Sequence, residues 1–296
     1  MSSITRRQFA QSTAAGVATS GPILPIATAQ STLVPARGGT LRAAFVGAGA
    51  SETLEPWNAG HAISSFQRSQ ALYEPLIRNT AGVPSPVLAE SWEPNVDGSI
   101  WTIRVRPDVT FHDGQPLTAA DVLGTFAYHL DPANQSIYGM AITLLDIANS
   151  RVIDNLTLEL ALLQPLGDLG DYIANAWVFI FPAEAGDLAL AANGTGPFRL
   201  EQFTPGDRAV LTRNDAYWGD PTNGPFLDRL EILSIDSAEA RVNALLAGQV
   251  DFADNVSHTQ ALTLQQNDRV SLLRFANPAG RAVMGFTMNV TVPPVR

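Results

Sequence analysis

The sequence lacks cysteine and lysine altogether. The absence of cysteine excludes disulfides, thiolate chemistry, cysteine-ligated zinc and a lipid anchor on an N-terminal cysteine. The absence of lysine excludes a Schiff-base lysine and a phosphate-loop lysine. All 18 basic residues are therefore arginines.

Positive charge is also scarce in this chain. It has 28 acidic residues against 18 basic ones, a net charge of −10 and a pI of about 4.8. The resulting negative field repels phosphate backbones and anionic lipid headgroups, so nucleic acid is not an expected partner. No segment reaches the roughly 18 uninterrupted apolar residues of a transmembrane helix. With 46% apolar residues, the composition predicts a globular protein with an ample core and no stable membrane insertion.

The N-terminus has the order of segments found in an export signal. Arg6 and Arg7 precede an apolar stretch at residues 14–26, which leads to a small-residue site ending at Ala29. This charged, apolar and cleavable order predicts a twin-arginine signal peptide over residues 1–29, cleaved after Ala29, and export to the periplasm. The alternative is an ordinary disordered basic N-terminus.

Local patterns predict a mixture of strands and helices. Residues 101–106 alternate apolar and polar side chains, which is typical of a half-buried antiparallel strand. Thr118 with Asp121 resembles a capping box and predicts that a helix follows. Asp236 with Glu239 is expected to cap a later helix. Further strands are predicted at residues 40–46, 151–153, 156–160, 198–203, 209–213 and 229–235, and a further helix at residues 64–77.

Four ordered motifs resemble one protein family. They are LAESWE at residues 88–93, continuing as WTIRVRPDVTFHDGQPLTAADV at 101–122, then GTGPF at 194–198, RNDAYWG at 213–219 and ALLAGQVD at 244–251. Together they resemble the family 5 extracytoplasmic solute-binding proteins of peptide- and nickel-type ABC transporters. The motif residues are predicted mainly to shape the fold, with Tyr217 and Trp218 forming a packed aromatic corner.

The resemblance implies a fold class. By resemblance, the fold is expected to be mixed α/β (α+β) and type II periplasmic binding protein-like, with residues 40–296 forming lobe I only and most of lobe II missing. A core subdomain is expected at about residues 40–85 and 195–285, and an inserted subdomain at about residues 86–194. Residues 30–39, which contain proline and glycine, are expected to form a linker.

The resemblance also implies a function. The chain is expected to be the non-enzymatic, substrate-binding component of an ABC importer for peptides or related small polar solutes. Its partners are then the solute and the membrane permease subunits, and no cofactor is implied. The alternative is a truncated, non-functional remnant, because closure around a solute needs both lobes.

By resemblance, the stretch that follows the first strand faces the solute cleft. Backbone amides there and an indole are the groups expected to contact a solute. Aromatic residues elsewhere are further candidates, for which a position in the core is an alternative interpretation. The candidate ligand-binding residues are Gly49, Ser51, Trp57, Asn58, Tyr138 and Trp177.

No pattern in the sequence indicates a metal or catalytic centre. The four histidines are scattered without metal-ligand spacing, and no Gly-x-Ser-x-Gly elbow occurs. Asp168 and Asp171 are predicted to be solvated loop carboxylates rather than an acid/base pair. Gly47 and Gly49 lack the third glycine of a dinucleotide-binding turn. The sequence therefore predicts neither a metal site nor catalysis.

Overall fold

The structure, a computed structural model, describes residues 37–47, 49–56, 62–80, 82–189, 191–276 and 283–289, with side chains as far as residue 272. The predicted signal residues Arg6, Arg7 and Ala29 lie outside the described residues. Within the described ranges the helices are α1 (Ile63–Leu72), α2 (Ala119–Leu130), α3 (Leu169–Ala176), α4 (Ala238–Leu246) and α5 (His258–Leu264). The strands are β1 (Thr40–Phe45), β2 (Ile77–Thr80), β3 (Val83–Pro86), β4 (Ala89–Pro94), β5 (Ile100–Val105), β6 (Leu145–Asp154), β7 (Thr157–Leu162), β8 (Phe198–Thr204), β9 (Arg208–Arg213), β10 (Arg229–Ser234), β11 (Phe252–Ala253), β12 (Val270–Ala276) and β13 (Val283–Asn289).

Strand β1 lies at the centre of a seven-stranded sheet, whose order is β12-β13-β11-β1-β10-β9-β8. It pairs in parallel with β10 and β11, and the outer strands run antiparallel to their neighbours. Ala43 and Phe45 pack into the main core with α1, whereas Ala44 packs with Leu245 of α4 on the opposite face. Because parallel strands end at the same edge, the described residues that follow β1 (46–47 and 49–56, the β1 loop) meet the ends of β10 and β11 there.

A second sheet is antiparallel, with the order β4-β5-β7-β6, and α2 packs on it. Trp101, Ile103 and Val105 of β5 are buried, so the alternation predicted from the sequence is confirmed. The predicted capping box of α2 is also present: Asp121 Oδ2 accepts a hydrogen bond from the Thr118 amide at 2.8 Å. A β2-β3 hairpin forms the third sheet.

Helix α1 ends earlier than predicted. The sequence pattern extended it to residue 77, but the helix stops at Leu72 and Tyr73 is already extended, with φ −127° and ψ 159°. Pro75 explains the difference, because proline lacks an amide donor and disfavours helical backbone in the residue before it. The apolar residues that follow, including Leu76 and Ile77, are still buried, but they lead into β2.

Helix α4 is capped by Ser237, so the prediction that Asp236 caps it is wrong. The Ser237 hydroxyl accepts a hydrogen bond from the Ala240 amide at 3.2 Å. Asp236 Oδ1 instead accepts a hydrogen bond from the Gly47 amide at 3.2 Å. The helix itself was predicted correctly, and its cap differs because Asp236 is engaged by a distant part of the chain.

Candidate functional site

The β1 loop starts at the carboxyl edge of the seven-stranded sheet, and a carboxylate holds one of its first amides. Asp236, just after β10, accepts a hydrogen bond from the Gly47 amide at 3.2 Å. A residue that follows a parallel neighbour of β1 thus positions the start of this loop.

A buried ion pair fixes the middle of the β1 loop. The Glu52 carboxylate accepts hydrogen bonds from Ser64 Oγ at 2.7 Å and Ser234 Oγ at 2.8 Å, and Arg68 Nη1 lies 3.6 Å from it. Arg68 Nη2 also donates to the Thr53 carbonyl at 2.5 Å. Burial lowers the pKa of Arg68, and the charge of Glu52 opposes that shift. Since both side chains are almost fully buried, they shape the loop rather than face solvent.

Two of the predicted ligand-binding residues lie in a 3₁₀ turn of the β1 loop, Gly49–Ser51. Gly49 is half-buried and has φ +66°, in the left-handed region that favours glycine. Ser51 is exposed. Trp57 and Asn58, which were predicted to share this site, lie outside the described residues. The described part of the predicted site thus has one solvent-facing side chain, that of Ser51.

Tyr138 is brought to the β1 loop from another part of the sequence. It lies in the 3₁₀ turn Ile137–Ala141, and its hydroxyl donates to the Pro56 carbonyl at 3.4 Å. The His129 ring meets the Tyr138 ring edge-on with centroids 5.6 Å apart, and His129 Nδ1 lies 2.6 Å from Ser136 Oγ. Burial raises the pKa of Tyr138 to about 12 and lowers the pKa of His129 to about 4. Both rings are therefore neutral near pH 7.

Trp177 is positioned by packing. It follows α3 with φ +54°, and its ring meets Phe66 of α1 edge-on with centroids 5.4 Å apart. The side chain is half-buried and packs against the main core. This arrangement favours the alternative interpretation of Trp177 as a core residue, and its contact with a solute stays a prediction.

Two cavities flank residues 182–188. The first has a volume of about 420 Å³ and is lined by Glu55 of the β1 loop, Tyr128 of α2, Asp131 and Asp187, among others. Burial raises the pKa of Tyr128, and the three carboxylates raise it further. The second cavity, of about 710 Å³, shares the wall formed by residues 182–188. The sequence did not single out these residues, because they are far apart in the chain.

A second buried carboxylate, Glu74, was also missed by the sequence analysis. It accepts hydrogen bonds from Thr195 Oγ1 at 2.9 Å, Tyr217 Oη at 2.8 Å and Trp218 Nε1 at 2.7 Å. The predicted packing of Tyr217 and Trp218 into an aromatic corner is therefore confirmed. The signal that could have found Glu74 is its position in the otherwise apolar stretch at residues 71–77.

Asp168 and Asp171 were predicted to be solvated loop carboxylates. Both are exposed, but Asp171 lies in α3 rather than in a loop. Asp168 caps α3 by accepting a hydrogen bond from the Asp171 amide at 2.9 Å. Across the described ranges, no group of three or more His, Asp and Glu side chains is arranged to hold a metal ion. None of the helices described is long and apolar enough to cross a membrane.

Comparison with known proteins identifies relatives of the chain. A family model described as bacterial extracellular solute-binding proteins, family 5 Middle, matches residues 83–296. The glutathione-binding protein GsiB of Escherichia coli K12 is 27% identical over 256 residues, and that of Pectobacterium atrosepticum is 26% identical over 248 residues. Each match covers 82% of this chain and 47% of the relative. The chain therefore spans about half the length of the curated relatives it matches.

Solved structures with a similar fold are periplasmic binding proteins. AgaA of A. tumefaciens R10, in complex with agropinic acid, has a TM-score of 0.71 and 29% identity, covering 80% of this chain and 48% of AgaA. The nickel ABC transporter structure from Bacillus halodurans has a TM-score of 0.69 and 28% identity. The match covers 80% of this chain and 47% of the transporter chain. DppA of Helicobacter pylori, in complex with peptide STSA, has a TM-score of 0.69 at 21% identity, covering 81% and 51%, and shows the fold alone.

These likenesses confirm the predicted fold class, a mixed α/β fold like that of periplasmic binding proteins. The chain corresponds to about half of such a protein, which is consistent with one partial lobe. All four motifs fall within the residues that the family model matches. The chain therefore belongs to the family 5 bacterial extracellular solute-binding proteins.

Proposed function

We propose that the chain is the substrate-binding component of an ABC importer for peptides or related small polar solutes, and that it has no enzymatic activity. The match to the family 5 model carries this proposal. Its curated relatives are named for glutathione binding, and the structural neighbours at 28–29% identity are a complex with agropinic acid and a nickel ABC transporter. Glutathione is a short peptide, so a polar peptide is the solute class that the curated relatives support.

The proposed solute contacts are at the β1 loop. Gly49 and Ser51 support this role because their turn lies at the carboxyl edge of the parallel strands, where open α/β sheets bind ligands. Tyr138 supports it because its hydroxyl reaches the same loop. Trp57 and Asn58 are proposed as contacts through their neighbouring positions in the sequence, and Trp177 through its contact with Phe66 at the start of α1.

Thermal unfolding and calorimetry of the chain against dipeptides, tripeptides including glutathione, and nickel–histidine test this proposal. A peptide that binds should raise the melting temperature. Ser51→Ala and Tyr138→Phe should each weaken its binding about 5-fold to 10-fold, the cost of roughly one hydrogen bond. Tyr172→Phe is the matched control, because the Tyr172 hydroxyl binds only the Leu144 amide among its described partners. Absence of binding by the whole library would contradict the proposal.

We also propose that the chain is exported to the periplasm by the twin-arginine route, where membrane permease subunits are its partners. Arg6 and Arg7 support this route because they precede an apolar stretch and a small-residue site ending at Ala29. Replacing both arginines with lysine should retain the protein in the cytoplasm, whereas Arg37→Lys should not. Cell fractionation with N-terminal sequencing measures both outcomes, and equal export of the two variants would contradict the proposal.

A further inference from the structure

Arg241, on the first turn of α4, is 1% exposed. Its guanidinium donates to the carbonyls of Ile235 at 2.6 Å and Asp236 at 2.9 Å, which follow β10. It also donates to the carbonyls of Asp254 at 3.2 Å and Asn255 at 3.4 Å, which follow β11. One side chain thus joins the ends of the two strands that flank β1. The planar fork of five donors suits arginine to this task, whereas the three donors of lysine cannot reproduce it.

One of the residues that Arg241 holds, Asp236, also holds the start of the β1 loop. Asp236 Oδ1 accepts a hydrogen bond from the Gly47 amide at 3.2 Å. Arg241 Nε also lies 3.2 Å from Asp254 Oδ1, so Arg241 contacts both the side chain and the backbone of Asp254. A chain of contacts therefore runs from Arg241 through Asp236 to the Gly47 amide.

We infer that Arg241 is a positioning residue for the β1 loop, holding the Gly47 amide in place through Asp236. The inference rests on the proposed function in that it takes the β1 loop as the solute-binding segment. A binding loop must be held to within about 0.5 Å for its backbone to meet a ligand. Arg241 supplies this from a distance, because its contacts end on Asp236 and Asp254 rather than on the turn that contains Gly49 and Ser51.

A purely structural role for Arg241 predicts a different result from a positioning role. Loss of a structural contact lowers the stability of the whole domain, so all slowly exchanging amides are affected together. Loss of a positioning contact opens the β1 loop locally and leaves the centre of the sheet protected. Hydrogen exchange of the Gly47 amide, compared with that of Ala43 and Ile232 in paired β1 and β10, separates the two roles.

The test uses Arg241→Lys together with the matched pair Asp236→Ala and Asp236→Asn. Asp236 is exposed, so its replacement leaves the core intact, and asparagine keeps an acceptor for the Gly47 amide. Exchange at Gly47 should rise about tenfold in Asp236→Ala and stay near wild type in Asp236→Asn. Exchange at Gly47 should also rise in Arg241→Lys, while Ala43 and Ile232 keep their protection.

Binding of the peptide found by calorimetry should weaken by about 3-fold to 10-fold in Asp236→Ala at an unchanged melting temperature. The inference is overturned if Asp236→Ala and Asp236→Asn exchange alike at Gly47, or if Arg241→Lys leaves Gly47 as protected as in the wild type. If Arg241→Lys does not fold, Arg241→Gln, whose side-chain amide keeps two donors, takes its place in the same comparison. Local opening in a protein that binds no peptide would refute the proposed function and leave the positioning role standing.

Discussion

At the scale of the residue, the buried carboxylate of Glu74 joins two distant segments of the chain by accepting three hydrogen bonds. It is 2% exposed, and burial raises its pKa while its three hydrogen-bond donors lower it. Those donors belong to two of the motifs that identify the family, at Thr195 and at Tyr217 with Trp218. A carboxylate in this position is tolerated only because it is hydrogen-bonded on both oxygens.

Replacing Glu74 with alanine should lower the free energy of unfolding by about 3 kcal/mol or more, because three donors lose their partner in a largely buried site. Urea denaturation measures the change. Glu90→Ala is the matched control: Glu90 pairs with Arg104 at 2.9 Å, but both side chains are about half exposed. Its loss should cost less than about 1 kcal/mol. Equal losses in the two variants would contradict this account of Glu74.

At the scale of the element, the sequence predicted helix α4 but misplaced its cap. Asp236 and Ser237 are both good capping residues, and local pattern cannot choose between them. Ser237 caps the helix because the Asp236 side chain already accepts a hydrogen bond from the amide of Gly47, which is 189 residues away in the chain. The same limit applied to α1, where the apolar spacing continued past Leu72 although Pro75 ended the helix.

The cap assignment predicts unequal effects of two substitutions at the start of α4. Ser237→Ala should lower the free energy of unfolding by about 1 kcal/mol, because the Ala240 amide loses its acceptor. Glu239→Ala should cost less than about 0.5 kcal/mol, since the exposed Glu239 contributes only its charge near the helix N-terminus. Chemical denaturation ranks the two variants, and the reverse order would restore the capping scheme predicted from the sequence.

The GTGPF segment is fitted closely to the last turn of α1. A Cβ added at Gly194 would collide with the Leu72 carbonyl oxygen, and the Gly196 amide donates to that same oxygen at 3.0 Å. Gly194→Ala should therefore destabilise the protein by about 3 kcal/mol through overpacking. Gly167→Ala is the control, because nothing lies within 4 Å of its added Cβ. A Gly194→Ala variant as stable as Gly167→Ala would show that this fit is not required.

At the scale of the whole molecule, β1, β5 to β10 and the helices α1, α2 and α4 were predicted because their signals are local, whereas the other described strands and the helices α3 and α5 were not predicted. Alternation predicted β5, and the hairpins at β6-β7 and β8-β9 followed from turn residues between short apolar runs. The candidate site could not be assembled in this way. Glu52 meets Ser234 across 182 residues and Tyr138 meets Pro56 across 82, and no spacing rule reports such pairs. The family motifs predicted the right fold because their residues make contacts that stabilise it, such as the hydrogen bonds that Thr195, Tyr217 and Trp218 donate to Glu74.

Buried titratable groups also couple the stability of the whole molecule to pH in opposite directions. Burial lowers the pKa of His112 and of His129 to about 4, so the unfolded chain binds their protons first as the pH falls. These two histidines destabilise the protein on acidification. Burial raises the pKa of Asp254 to about 6, and nearby Arg241 only partly offsets this shift. The native state therefore binds the proton of Asp254 first, which stabilises the protein on acidification.

Between pH 7 and pH 5 each of the two histidines costs about 2 kcal/mol of stability, and Asp254 returns about 1 kcal/mol. Burial also raises the pKa of Glu74, which therefore acts in the same direction as Asp254. The prediction is made for single groups, from the change in the free energy of unfolding between pH 7 and pH 5 measured in urea. His112→Gln, which keeps a donor for the Gly196 carbonyl, should lose about 2 kcal/mol less stability over this range than the wild type. Asp254→Asn should lose more than the wild type, because the group that gains a proton in the native state is gone. A His112→Gln variant that loses as much as the wild type, or an Asp254→Asn variant that loses less, would contradict these assignments.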